Sequence, residues 1–301
     1  MHQPVLLSES IQALNIREDG CYLDATFGRG GHASVILENL GPDGKLIVMD
    51  RDEQAIACAN ERYSEDDRVV IHHDWFGSLS NYISEGTLDG ALFDLGVSSP
   101  QLDQDERGFS FQRKGPLDMR MDTSRGLSAA EWIAVASEKE MTKVFFDYGE
   151  EPRSRAVARE LVKVRSEEAI TDTARLAEVV ARAAAFRKAG KHPATRVFQA
   201  IRIFINDEIN EALKAMESVL ECLAPNGRLA IISFHSLEDR QVKRFIRRND
   251  KGPEIPRGLP VMGQSFGPLK SVGKAVKPSA DEVRENPRSR SSILRIAEKR
   301  A

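Results

Sequence analysis

Three acidic residues, a glycine cluster and one short polar turn carry the side chains in this sequence whose types and spacing suit chemistry. In DATFGRGGH (24–32), Asp24 ends an apolar run, and Gly28, Gly30 and Gly31 lead into a helical pattern. Glycines there let a backbone approach a ligand closely and set the N–H groups of a helix start beside it. The spacing is G-x-G-G rather than G-x-G-x-x-G, so the dinucleotide fingerprint is incomplete, and a plain strand–helix turn is the alternative. Asp50 ends the next apolar run, where an acidic residue commonly accepts hydrogen bonds from ribose hydroxyls. Together these features point to a nucleoside-bearing cofactor. A third run, ALFDLGVSSPQLD (91–103), passes through Asp94 to Gly96, Ser98, Ser99, Pro100 and Gln101.

Two enzyme layouts share a glycine loop followed by an acid on the second strand: nicotinamide enzymes and methyltransferases that use S-adenosylmethionine. A carboxylate ahead of the loop, at Asp24, favours the second, because it repels a pyrophosphate and attracts a cationic amino-acid portion. Amino-group methyltransferases end their fourth strand in Asp/Asn/Ser-Pro-Pro-aromatic, which accepts hydrogen bonds from the target amine and aims its lone pair at the methyl group. Asp94 and SSPQ stand in that place here, without the second proline or the aromatic. His235, Ser236, Glu238 and Asp239 follow the last strong apolar run, over the same crevice. Their adjacency and the lack of a G-x-S-x-G elbow argue against a hydrolase. His235 then either holds the target nucleotide or belongs to a helix start. His72, His73 and His192 lack metal-ligand spacing, so no metal is expected.

Positioning these groups requires strands that alternate with helices. CYLDAT (21–26), KLIVMD (45–50), RVVIHHD (68–74) and GALFDL (90–95) read as strands, with helical patterns over 33–40 and 53–63. That rhythm predicts a doubly wound parallel sheet with its crevice at the carboxyl ends of the strands. From about 128 to 224 the pattern is helical, with capping boxes at Ser128…Glu131 and Ser137…Glu140 and a stop at Gly149. Two further amphipathic segments lie at 173–186 and 194–205, and a helix spans 207–223. The turn PNG (225–227) introduces a strand at 228–234, and the last strand is SSILRIA (291–297). The expected architecture is an α/β, Rossmann-like doubly wound S-adenosylmethionine-dependent methyltransferase sheet with an inserted all-helical domain. Residues 1–105 and 206–301 form the sheet domain, and 106–205 form the insertion, assigned to substrate recognition.

Net charge is −3, but it is unevenly spread. Residues 1–107 hold 7 Lys/Arg against 20 Asp/Glu, whereas residues 240–301 hold 16 against 6. Such asymmetry suggests a basic surface for a polyanion. Arg240, Lys243, Arg244, Arg247 and Arg248 are spaced to share a helix face, and Arg288, Arg290 and Arg295 approach the final strand. Three separated cysteines, no secretory pattern and no long apolar run predict a cytoplasmic protein without a membrane partner.

At this point the sequence resembles the bacterial small-subunit ribosomal RNA cytosine-N4 methyltransferase family over almost its whole length. The resemblance rests on HQPVLLSE (2–9), DATFGRGGHAS (24–34), FDLGVSSPQLD (93–103), RGFSF (107–111) and GPLDMRMD (115–122). It continues through HPATRVFQAIRIFIN (192–206), ISFHSLEDRQVKRF (232–245) and NPRSRSSILR (286–295). It implies S-adenosylmethionine as cofactor and methylation of one cytidine N4 amine in 16S rRNA, near the decoding centre and within the small ribosomal subunit. It also implies cofactor contacts at Gly30, Gly31, His32, Asp50, Phe76, Asp94 and Gln101, with Trp75 the neighbouring alternative to Phe76. Asp94, Ser98, Ser99 and Pro100 are then the amine-positioning candidates, with His235 beside the target, and a homodimer is compatible with this reading. A DNA amino-methyltransferase is the nearest rival, disfavoured by the missing Pro-Pro-aromatic. A non-catalytic RNA-binding assembly factor is the other, disfavoured by the complete cofactor loop.

Overall fold

The computed structural model describes residues 4–184, 192–251 and 266–301. In chain order they form α1 (Leu7–Leu14), β1 (Cys21–Asp24), α2 (Gly31–Glu38), β2 (Lys45–Asp50), α3 (Glu53–Tyr63), β3 (Val69–His73) and β4 (Leu88–Asp94). A run of helices follows: α4 (Ser99–Asp103), α5 (Ala129–Val135), α6 (Glu138–Asp147), α7 (Ser154–Glu167), α8 (Thr173–Ala183), α9 (Thr195–Ile205) and α10 (Glu208–Cys222). Then come β5 (Leu223–Ser233), α11 (Ser236–Lys251), β6 (Leu269–Ser271), α12 (Ala280–Glu285) and β7 (Ile293–Lys299). Two compact units emerge, Met1–Gly96 with Ile209–Ala301, and Val97–Glu208. The insertion thus starts at Val97 rather than 106 and ends at Glu208 rather than 205. The earlier start has a packing cause, since Val97 and Leu102 lean on the apolar core of the helical unit.

The first unit is built on a seven-stranded sheet in the order β3-β2-β1-β4-β5-β7-β6. β1 through β5 pair in parallel, and β7 runs antiparallel to both β5 and β6. Strands covered on both faces read as continuous apolar runs, which is why KLIVMD and GALFDL show no alternation. On one face Ala33, Ile36, Ala55 and Ala59 of α2 and α3 pack over Leu46, Val48 and Leu92. On the other, Ala215, Val219, Val242 and Phe245 of α10 and α11 pack over Leu23, Ala91 and Phe93. The chain leaves β1 outward through β2 and β3, then returns to β4 on β1's other side. This reversal opens a crevice beyond the carboxyl ends of β1 and β4. Asp24, Asp50 and Asp94 are each the last residue of their strand, so all three carboxylates belong to that edge.

Several local features differ from expectation. The strand expected at 228–234 begins at Leu223, which pairs with Leu88, while Arg228 pairs with Gly90. PNG is therefore a bulge inside β5, with Asn226 left-handed at φ 67°, rather than a turn before it. The last strand starts at Ile293 because Pro287–Ser291 forms a 3-10 turn. The ends of two expected segments, 185–186 and the first residues of the 2–9 motif including His2, lie outside the described residues. Among the described residues no helix is long and apolar enough to cross a membrane.

The second unit has its own core, with Trp132, Met141, Phe145, Leu161, Leu176, Val180 and Ile201 among its buried residues. Ser128 and Glu131 close a full capping box on α5. At α6 only half of the expected box forms: Ser137 Oγ accepts from Glu140 N, while Glu140 Oε1 accepts from Trp132 Nε1 at 3.2 Å. Gly149 does not supply the left-handed stop; Glu150 does, at φ 47°. The glycine is needed for close approach instead, since a Cβ there would lie 2.6 Å from the Arg196 carbonyl.

Buried Asn206 ties the GPLDMRMD segment to the end of α9. Its Oδ1 accepts from Met121 N (2.8 Å), and its Nδ2 donates to the carbonyls of Met119 (2.7 Å) and Arg202 (2.9 Å). Met119 is left-handed at φ 63°, a conformation held only because neighbours over-determine it. Nη2 of Arg107 donates to the carbonyls of Arg120 and Met121, bracing the same turn. An Asn206→Ala change strips buried backbone groups of their partners, so urea unfolding should show a loss of about 3 kcal/mol.

Candidate functional site

The loop after β1 is held open by backbone bonds to its neighbours. Ala25 N donates to the Leu92 carbonyl and Phe27 N to the Met49 carbonyl, both at 3.0 Å, which carries the β1 end between β4 and β2. Gly28 and Gly30 take left-handed φ values of 56° and 73°. A Cβ on Gly30 would stand 2.6 Å from the Phe27 ring, and one on Gly31 would stand 2.2 Å from Pro4. Gly31 opens α2, so its glycine admits the N-terminal segment behind the helix start rather than the ligand. The PVLLSE segment gains a physical role here: Pro4 fills the back of the loop, and the Val5 carbonyl lies 3.1 Å from His32 Nε2. A carbonyl only accepts, so buried His32 donates from Nε2, and its Nδ1 lies 3.9 Å from Asp94 Oδ2.

Asp50 has both oxygens engaged by the main chain. Oδ2 accepts from Gly28 N at 2.8 Å and Oδ1 from Asp52 N at 2.9 Å. Burial pushes its carboxyl above the usual range, and the two N–H groups work in the opposite direction. The same carboxylate thus links the end of β2 to the glycine loop. Asp24 is fully buried, and burial pushes it up to about 7 despite a 3.1 Å bond from Thr26 N.

Asp94 has two acids near it as well as burial acting on its carboxyl. Its backbone N donates to Thr26 Oγ1 at 2.7 Å, which joins the ends of β4 and β1. Burial, followed by the charges of Asp24 and Glu238, raises its carboxyl well above the ordinary value. Oδ1 is buried with no hydrogen-bond partner among the described residues, while Oδ2 faces His32. Glu238, in the first turn of α11, is also buried and accepts from Phe234 N at 2.9 Å. His235 Nε2 stands 3.0 Å from Glu238 Oε1 but off the line a hydrogen bond requires. The structure therefore gathers Asp24, Asp94, His32 and Glu238 at one edge of the sheet, with His235 beside Glu238. Such a set can hold a cationic group and accept hydrogen bonds from an amine.

The remaining candidates occupy separate places. Phe76 is partly buried, with its ring edge-on to Phe93 at 6.1 Å. Trp75 has the Arg51 guanidinium over its face at 4.8 Å, so that face is taken, whereas the same cation is 5.9 Å from Phe76. Ser98, Ser99, Pro100 and Gln101 belong to the second unit, where Ser98 caps α4 and Ser98 N donates to Gln101 Oε1 at 3.0 Å. In the basic C-terminal region Arg295 is locked onto Asp239 by bonds of 2.7 and 3.0 Å, and Arg248 pairs with Glu217. Thr26 and Val5 carry site geometry that residue types alone did not assign. Thr26 had a signal, a hydroxyl two residues beyond a strand-end carboxylate; a carbonyl such as that of Val5 had none.

The chain resembles known proteins along its full length. A ribosomal RNA small subunit methyltransferase H from Shewanella halifaxensis is 53% identical over 99% of this chain and 96% of its own. The protein of that name from Shewanella pealeana is 54% identical over the same shares. A putative methyltransferase from Streptococcus mutans, solved in complex with SAH, aligns over 99% of each chain at 14% identity with a TM-score of 0.47. The family model for MraW methylases matches residues 1–300, from before the glycine loop to the last strand. The strand-end carboxylates, their loop and the helical insertion all fall within that match, and the chain belongs to the MraW methylase family.

Proposed function

We propose that this protein transfers a methyl group from S-adenosylmethionine to the exocyclic N4 amine of a cytidine in 16S rRNA, near the decoding centre of the small ribosomal subunit, in the cytoplasm. The observation that carries the proposal is Asp94: a half-buried carboxylate at the end of β4, flanked by two more acids, with one buried oxygen lacking a partner. Family membership and the relatives' shared name supply the methyl-transfer class and the ribosomal acceptor.

The residues present fit the cofactor. Desolvated Asp24 and Asp94 suit a cationic amino-acid portion, and the left-handed glycine loop at Gly28 and Gly30 suits close backbone approach; for Asp50 and Phe76 as ribose and adenine contacts the support is the family resemblance. When bound, S-adenosylmethionine supplies an electrophilic methyl carbon on a sulfonium centre. The protein's own contribution is positional: ionised Asp94 accepts from the target N–H and holds the nitrogen lone pair in line, and no covalent enzyme intermediate forms. As the N–C bond forms, the methyl–sulfur bond would break to leave a neutral thioether, and the nitrogen's proton passes to solvent. For Ser98, Ser99, Pro100, Gln101 and His235 as amine- or nucleotide-holding groups, and for the helical insertion as the substrate-recognition unit, the support is sequence alone.

The direct test supplies labelled S-adenosylmethionine to small subunits, free rRNA and DNA, then maps the modified base. Label on DNA alone, or on an adenine, would overturn the acceptor assignment. Asp94→Ala should lower methyl transfer at least a hundredfold, and Asp94→Asn should also abolish the rise in rate with pH that ionisation of this carboxyl produces. Unchanged transfer and cofactor affinity in the alanine variant would remove Asp94 from the site.

Asp24 yields a separate pH prediction. Its folded-state value, about 7, lies above that of an unfolded aspartate, so its contribution to stability is full below about pH 4 and is lost as pH rises to about 7. Asp24→Asn should therefore raise the Tm of the ligand-free protein more at about pH 8 than at about pH 5. The ionised form is the one that pairs with a cation, so cofactor affinity should climb through the same interval. Calorimetry on Asp24→Asn should find that climb gone and affinity lowered roughly tenfold or more.

A further inference from the structure

The exposed side of α11 separates its charges by whether they already have partners. Its core side carries Glu238, Val242, Phe245 and Ile246, all buried. Its acids are engaged: Glu238 with Phe234 N, Asp239 with Arg295, and Asp250 with Arg300. Two of its cations are engaged as well, Arg248 with Glu217 and Arg240 within its surroundings. Lys243, Arg244 and Arg247 differ, as does Lys251 at the last residue of the helix. They are exposed, they follow one another at helical spacing, and no carboxylate among the described residues pairs with them.

Placement gives this stripe its meaning. α11 starts three residues after β5, whose carboxyl end lies at the crevice, and its first turn holds the Glu238 that raises Asp94. From there the helix runs back along the sheet, since Asp250 near its end pairs with Arg300 beside the Arg228 end of β5, and at about 1.5 Å per residue the stripe begins within roughly 10 Å of that first turn along the axis. A solvated helix face gains nothing from leaving three cations unneutralised side by side while every acid beside them is consumed. Three mutually repelling cations in a row suit a polyanion that neutralises them together.

We propose that Lys243, Arg244 and Arg247 form a phosphate-contacting track for the RNA strand that flanks the target nucleotide. This rests on the rRNA methyltransferase reading above and adds which surface of the first unit grips the substrate. Contacts of this kind orient the strand without reading its bases. They should govern acceptor affinity and its salt dependence, leaving cofactor binding untouched.

The test compares wild type with Lys243→Gln/Arg244→Gln/Arg247→Gln, and with the charge-preserving Lys243→Arg/Arg244→Lys/Arg247→Lys, on purified small ribosomal subunits with labelled S-adenosylmethionine. The expected result for the neutral variant is a KM for subunits raised about tenfold at about 0.1 M salt, with kcat and cofactor Kd unchanged. The slope of log affinity against log salt should become shallower by about 2, the value for three single-strand phosphate contacts. The charge-preserving variant should keep the wild-type KM. If wild type methylates subunits and the neutral variant keeps both its KM and its salt slope, the track is refuted while the functional reading stands. If wild type labels no small-subunit RNA, the functional reading falls and the track falls with it.

Discussion

Keeping carboxylates out of water at the ends of parallel strands is the constraint on which the rest of this site depends. Asp24, Asp50 and Asp94 terminate β1, β2 and β4, and burial opposes the charge of each one. The fold offsets part of that cost with main-chain donors, two for Asp50 and one from Thr26 for Asp24. Asp94 receives no such help on Oδ1, and the charges of Asp24 and Glu238 add to its burden. An acid held in this condition gains more from a bound cation or amine than a solvated one does.

That arrangement needs scaffolding from distant parts of the chain. Pro4 and the Val5 carbonyl back the glycine loop, Thr26 fastens β1 to β4, and Glu238 closes the turn between β5 and α11. Even the start of α1 is anchored from afar, since Leu6 N donates to Glu282 Oε1 in α12 at 2.8 Å. Segments of the first unit as far apart as Pro4 and Glu238 therefore serve one edge of one sheet. Their spread along the chain reflects sheet topology, in which strands close in space are far apart in sequence.

Much of this was legible in the residues. Unbroken apolar runs ending in aspartate marked β1, β2 and β4, and three glycines between a strand and a helix marked the loop. What was not legible depended on partners that no local pattern specifies. The PNG segment looks like a turn between elements, yet pairing of Leu223 with Leu88 makes it a bulge within β5. Gly149 looks like a helix stop, but the nearby Arg196 carbonyl explains the glycine while Glu150 makes the turn. By residue type Arg295 and Arg248 are equivalent to Lys243 and Arg244, but Asp239 and Glu217 pair with the first two. Strand β6, three residues long, has too little sequence to announce itself.

The placement of the insertion also has a consequence for how the molecule is made. β4 is complete in sequence by Asp94, but its second neighbour, β5, starts at Leu223, beyond the whole of the helical unit. A chain emerging from its N-terminus therefore holds β4 with one edge unsatisfied while Val97–Glu208 is synthesised. That inner unit has all its core residues in one continuous stretch and can close on its own, whereas the sheet must wait for β5 and then β7. An open, apolar strand edge is a site of mispairing, so the nascent protein is most vulnerable during translation of its own insertion.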